Sequence, residues 1–95
     1  MDIRTLKYVI SLAELGSFTS AAKAHFVTQP AISIALKKLE QELGQKLYRI
    51  EGRSIVFTPA GETFIEYARR IVDLENELST HMSDLEGLRR GRINL

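Results

Sequence analysis

The chain has no cysteine, two histidines and two prolines in 95 residues. Without thiols it can form no disulfide, no thiol nucleophile and no cysteine-ligated zinc site. His25 and His81 lie far apart in the sequence, and neither has a ligand at a metal spacing. No glycine-rich phosphate loop follows a strand. The carboxylates Glu62, Glu66, Asp73, Glu75, Glu77, Asp84 and Glu86 crowd one helical stretch, the ordinary composition of a solvated face. Catalysis therefore has little to build on, and the chain is not expected to be an enzyme. No apolar run approaches bilayer length. The opening Met1-Asp2-Ile3-Arg4 lacks the basic-then-apolar layout of a secretion signal. The expected compartment is the cytoplasm, with no membrane partner.

What is present suits one small domain with a protruding element. Hydrophobic residues make up 44% and charged residues 26%, enough for a modest core. The net charge of +1 conceals an asymmetry. Residues 1–58 hold eight bases against five acids, a net of +3, and residues 59–95 hold five bases against seven acids, a net of −2. A basic front half suits a polyanionic partner.

The spacing of Ile3, Leu6, Ile10 and Ala13, widened by Val9 and Leu12, predicts a first helix from about Asp2 to Leu15, stopped by Gly16. Ser17, with Thr19 as rival, caps a second short helix to about His25. Its Ala21 and Ala22 allow close helix approach. His25-Phe26-Val27 turns the chain, and Thr28 caps a third helix with Pro30 in its first turn. Ile32, Leu36, Leu39 and Leu43 give that helix its inner row, and Gly44 ends it. Leu47–Ile50 and Ser54–Phe57 read as two strands, joined at Glu51-Gly52-Arg53, where Gly52 supplies the positive φ. Thr58-Pro59 opens a fourth helix expected to reach about Leu85. Phe64, Ile71, Leu78 and Leu85 recur every seven residues, with Ala68, Leu74 and Met82 beside them. So long a stripe cannot be buried on so small a domain and calls for a partner helix. Arg92-Ile93-Asn94-Leu95 resembles the start of a strand.

The expected fold is mainly α: a winged helix-turn-helix of three helices and a two-stranded wing over residues 1–58, then a dimerisation helix over 59–87. Residues 88–95 read as a hinge. At ~100° per residue, Pro30, Ile34, Lys37 and Gln41 point away from the leucines, flanked by Ser33 and Lys38, with Gln29 at the exposed first turn. Amide, hydroxyl and ammonium groups on one narrow face fit the donors and acceptors of a major groove. Ile34 stands mid-face; it is either an ordinary surface apolar residue or a contact for a thymine methyl. Arg53 at the hairpin tip is a solvated turn residue or a minor-groove reader. Lys38 and Arg49 suit phosphate attraction, a role Lys37 could share. Thr19 and Thr28, near helix N-termini, serve as caps and could also present groups to phosphate. Two rival readings use the same elements. One is a winged-helix module whose third helix meets protein; the other is an adaptor in which the long helix alone is functional.

At Gly16-Ser17-Phe18-Thr19, Ala21-Ala22 and Val27-Thr28-Gln29-Pro30-Ala31-Ile32-Ser33 the chain closely resembles the N-terminal domain of LysR-type transcriptional regulators. Leu39-Glu40, Leu43-Gly44, Leu47-Tyr48-Arg49, Gly52-Arg53 and Thr58-Pro59-Ala60-Gly61 continue the resemblance, which runs from Met1 to about Arg90. It implies homo-oligomers, often tetramers built from dimers, whose fourth helices pair antiparallel. It implies binding and bending of an interrupted palindrome near promoters. It further implies a small-molecule inducer held by a C-terminal domain, absent here and expected to begin near Ile93, with no cofactor in this segment. Positions matching Gln29, Pro30 and Ser33 would touch bases, and Arg53 would enter the minor groove. The position matching Ile34 is commonly polar or basic in such regulators, and the isoleucine departs from that pattern.

Overall fold

Asp2 begins the first helix by accepting the Thr5 backbone N–H at 2.8 Å on its carboxylate, an N-cap that satisfies one of the orphan donors of a helix start. The computed structural model describes residues 1–94, with side chains described through residue 87. Helix α1 spans Ile3–Leu15, α2 spans Phe18–Ala24 and α3 spans Gln29–Leu43. Strands β1, Tyr48–Glu51, and β2, Ser54–Phe57, pair antiparallel, and α4 runs over Pro59–Asn94. Ser17 caps α2 through the Ser20 N–H, and Thr28 caps α3 through the Ala31 N–H.

The core forms where the apolar faces of the first three helices meet. Val9 and Leu12 of α1, Ala21 and Ala22 of α2, and Ile32, Leu36 and Leu39 of α3 are buried together with Leu47 and Ile65. The two alanines let α2 lie close to its neighbours. Leu43, expected in the inner row, lies at the exposed end of α3 instead.

The wing is seated on this core by aromatic side chains. Tyr48 and Phe57 face each other across the hairpin, both packed against the core. The Tyr48 ring meets Phe18 of α2 edge-on at 5.5 Å. Glu51 pairs with Ser54, so the loop is the two residues Gly52-Arg53 rather than three. Gly52 adopts φ +62° while Arg53 stays at negative φ, as in a hairpin turn with glycine at its first central position.

Helix α4 lies antiparallel on α1, where Arg69 bonds Glu14 at 3.3 Å and Lys7 approaches Glu75 at 3.7 Å. Beyond that clasp it projects as a rod, giving extents of 60 × 25 × 19 Å. Two expectations are corrected. The fourth helix does not end near Leu85 or hinge at residue 88; it continues to Asn94, so Arg92–Asn94 are helical rather than the start of a strand. Leu95 lies outside the described residues. The physical reason is that a mid-helix glycine costs only about 1 kcal/mol, and Gly87 does not take the positive φ with which Gly16 and Gly44 end their helices.

The second correction concerns the stripe of α4. Phe64 packs against the intrachain core and Ala68 is 1% exposed, so this end of the row is filled by the protein itself. Ile71, Leu74, Leu78, Met82 and Leu85 remain exposed. The sevenfold repeat cannot say where α4 leaves α1, and that departure divides the row.

Candidate nucleic-acid interface

Burial of Ile32, Leu36 and Leu39 fixes the rotation of α3 and so decides what its other side presents. Gln29, Pro30, Ile34, Lys37, Lys38 and Gln41 are exposed, and Ser33 is half-buried at the edge. Lys37 and Lys38 enter no ion pair among the described residues, and neither does Arg53 at the wing tip. Lys37 and Arg53 are thus available to an anion, as is Lys38, although, behind the hydrogen bond from the Met1 ammonium, its charge also helps to lower the Glu42 carboxyl pKa.

The two helices of the turn motif meet at this face. The Thr19 hydroxyl donates to Gln29 Oε1 at 3.3 Å. That bond spans α2 and α3 and restrains the amide. Thr28 is occupied as the cap of α3. Arg49, expected to attract phosphate, is paired with Glu51 two residues along the same strand at 3.0 Å, and both side chains are exposed. An exposed pair of this kind is weak and can be exchanged for phosphate contact.

Three features escaped the sequence reading. Phe26 is 96% exposed and takes φ +55°, the left-handed conformation that a glycine usually supplies in such a turn. No glycine marks it, so nothing local announced it. Ala31 is exposed one turn before Ile34 and adds apolar surface to the outer face. Glu40 is buried and accepts the Leu47 N–H at 2.8 Å, with Lys46 at 3.8 Å. Its place four residues after Leu36 was a legible sign that it faces inward. Burial, and then the Glu40 charge, push the Tyr48 hydroxyl pKa above its ordinary 10.0.

His25 closes the opposite side of the turn. Its Nε2 is 2.7 Å from Ser11 Oγ and its ring meets Tyr8 edge-on at 5.0 Å, so it ties α2 to α1. His81 lies on the exposed stretch of α4. Among the described residues no group of histidine, cysteine and acidic side chains could hold a metal ion. None of the described helices is long and apolar enough to cross a membrane.

A bare polar helix face, a hydroxyl-braced amide at its start and a cationic wing tip define a winged helix-turn-helix DNA-binding domain carrying a long helix. Residues 3–62 match the model of the lysR family of bacterial regulatory helix-turn-helix proteins. The chain belongs to that family, as the DNA-binding domain of a LysR-type transcriptional regulator.

It is 36% identical over 85 residues to CmpR, an HTH-type transcriptional activator of Synechocystis sp., covering 90% of this chain and 28% of that protein. The structure of the CbnR DNA-binding domain in complex with DNA superposes with a TM-score of 0.83 at 39% identity, covering 90% of this chain and 98% of that one. The BenM DNA-binding domain bound to catB site 1 DNA gives a TM-score of 0.86 at 30% identity, covering 90% and 94%. The chain thus spans well under a third of the CmpR length.

Proposed function

We propose that this chain binds promoter DNA sequence-specifically as a homodimer, with α3 in the major groove. Gln29, Pro30, Ser33, Ile34 and Lys37 lie against base edges in this reading, and Arg53 enters the adjacent minor groove. Thr28, Lys38 and Arg49 hold the phosphates, and Thr19, whose hydroxyl donates to Gln29, contributes its backbone N–H. The carrying observation is the exposed outer side of α3, whose rotation is set by the burial of Ile32, Leu36 and Leu39. The DNA complexes of the similar CbnR and BenM domains support it.

The exposed residues Ile71, Leu74, Leu78, Met82 and Leu85 supply a continuous apolar row along α4. With Ile3 of α1, Ile71, Leu74 and Leu78 line an open groove. A second α4 laid on this row buries it and fixes two reading heads at a set separation, which suits an interrupted palindrome. In a full-length regulator, residues 1–58 read DNA, α4 links, and a following domain binds a small-molecule inducer and assembles dimers into a tetramer.

Selection of bound duplexes from a random pool, followed by titration against the selected and scrambled sequences, tests the reading. Gln29→Ala or Ser33→Ala is expected to lower discrimination by about 1–3 kcal/mol with little change in binding to scrambled duplex. Unchanged discrimination in both variants overturns base reading by this face.

A further inference from the structure

Ile34 is 67% exposed in the middle of a face whose other long side chains are polar or charged. Its neighbours on the preceding turn, Pro30 and Ala31, are exposed as well, and residues three and four apart in a helix adjoin. The three side chains therefore form one apolar strip, bordered by Gln29, Ser33, Lys37 and Lys38. A scattered surface isoleucine needs no explanation. An apolar strip in the centre of a face aimed at base edges has a defined chemical complement, because the only apolar group that DNA bases present in the major groove is a methyl on pyrimidine C5.

We propose that Ile34, backed by Pro30 and Ala31, selects the 5-methyl group of a thymine in each half-site. The inference rests on the reading of α3 as the major-groove helix and names what that helix reads at its centre. Selection works in two directions. The branched aliphatic side chain gains contact with the methyl and expels water from both. Opposite a G·C pair the same side chain would cover the cytosine amino group or the guanine acceptors without offering a hydrogen-bond partner, which penalises that pair. A helix with lysine or arginine at this position would reward guanine instead. The isoleucine thus marks a preference shifted toward A·T at that base step.

The methyl group can be removed without touching base pairing. On the selected duplex, each thymine is replaced singly by deoxyuridine and the affinity of the whole chain is measured by fluorescence anisotropy. One thymine per half-site is expected at which replacement weakens binding about threefold to tenfold, the effect of one buried methyl. Ile34→Ala is expected to abolish that difference, binding the thymine and uracil duplexes alike. A 5-methylcytosine at the same position is expected to bind more tightly than cytosine. If no replacement weakens the unmodified protein while it still distinguishes selected from scrambled DNA, the methyl contact is wrong and base reading by the rest of α3 stands. If Ile34→Ala keeps the full thymine preference, another residue makes the contact. If the unmodified protein does not distinguish selected from scrambled DNA, the groove assignment itself falls. The deoxyuridine series needs no variant, so its outcome is independent of how Ile34→Ala folds.

Discussion

Gly61 shows how one residue's size can hold two elements in register. A Cβ built on it would stand 1.9 Å from the Leu47 carbonyl oxygen, a backbone atom that cannot swing aside. That carbonyl already accepts the Thr58 N–H at 3.0 Å, and the Thr58 hydroxyl accepts the Gly61 N–H at 3.0 Å while donating to the Lys46 carbonyl. The start of α4 is therefore pressed onto the base of the wing. Gly61→Ala is expected to cost about 1–3 kcal/mol through overpacking, read as a lower urea midpoint. Phe26 offers the opposite case, a residue larger than its backbone prefers. Phe26→Asn relieves the left-handed strain and is expected to raise stability slightly, by up to about 1 kcal/mol in chemical denaturation. A result of equal or lower stability would show that the left-handed backbone at this position costs the domain nothing measurable. The sequence made Gly16, Gly44 and Gly52 readable because glycine is the usual occupant of positive φ. Phe26 was unreadable for the same reason, and Gly61 because its constraint is spatial and comes from fourteen positions earlier in the chain.

Among the elements, the wing depends on α3 through one buried carboxylate. Glu40 carries the Leu47 N–H at the point where the chain leaves α3 for β1. Glu40→Ala leaves that amide without a partner and is expected to cost about 1–3 kcal/mol; Glu40→Gln, which keeps an acceptor, should cost less. Thermal melts of the two variants provide the comparison. The nearby Tyr48 hydroxyl has a raised pKa, which favours its neutral form in the folded state. That contribution is complete below the unfolded value of 10.0 and is lost as pH rises through the higher folded value. Stability should therefore fall above pH about 10 and fall less steeply in Tyr48→Phe, measured as urea midpoints across that range. The first three helices and the hairpin were legible because period and caps agreed at each of them, as Ser17, Thr28 and Thr58 show. The end of α4 was not, since a glycine such as Gly87 stops a helix only where the backbone turns into the left-handed conformation, which it does not do here. Nor was the division of its apolar row legible, because Phe64 and Leu78 look alike until α1 is placed against the first of them.

At the scale of the whole molecule, the basic head and the acidic rod suit different partners. Lys37, Lys38 and Arg53 carry unpaired charge at the head, so affinity for duplex DNA should fall steeply and linearly on a log–log plot against salt. Titrations between low and physiological salt that give a flat response would remove the phosphate contacts from the reading. Leu74 stands 65% exposed on the rod, and Leu74→Asp places a charge in the middle of the proposed helix pair. Sedimentation should then show loss of dimer while the head keeps its melting behaviour. The acids of the rod offset the bases of the head, which is why the net charge of the whole chain said so little about either half.

The clasp between α1 and α4 has a mechanical corollary. Ile65 and Ala68 are buried where α4 meets the head, and Arg69–Glu14 and Lys7–Glu75 flank that seam, so the head turns with the near part of the rod. A helix of 36 residues is about 54 Å long. In the proposed dimer, a rod joined in this way to each head works as a ruler, and its length rather than any loop sets how far apart the two reading surfaces stand.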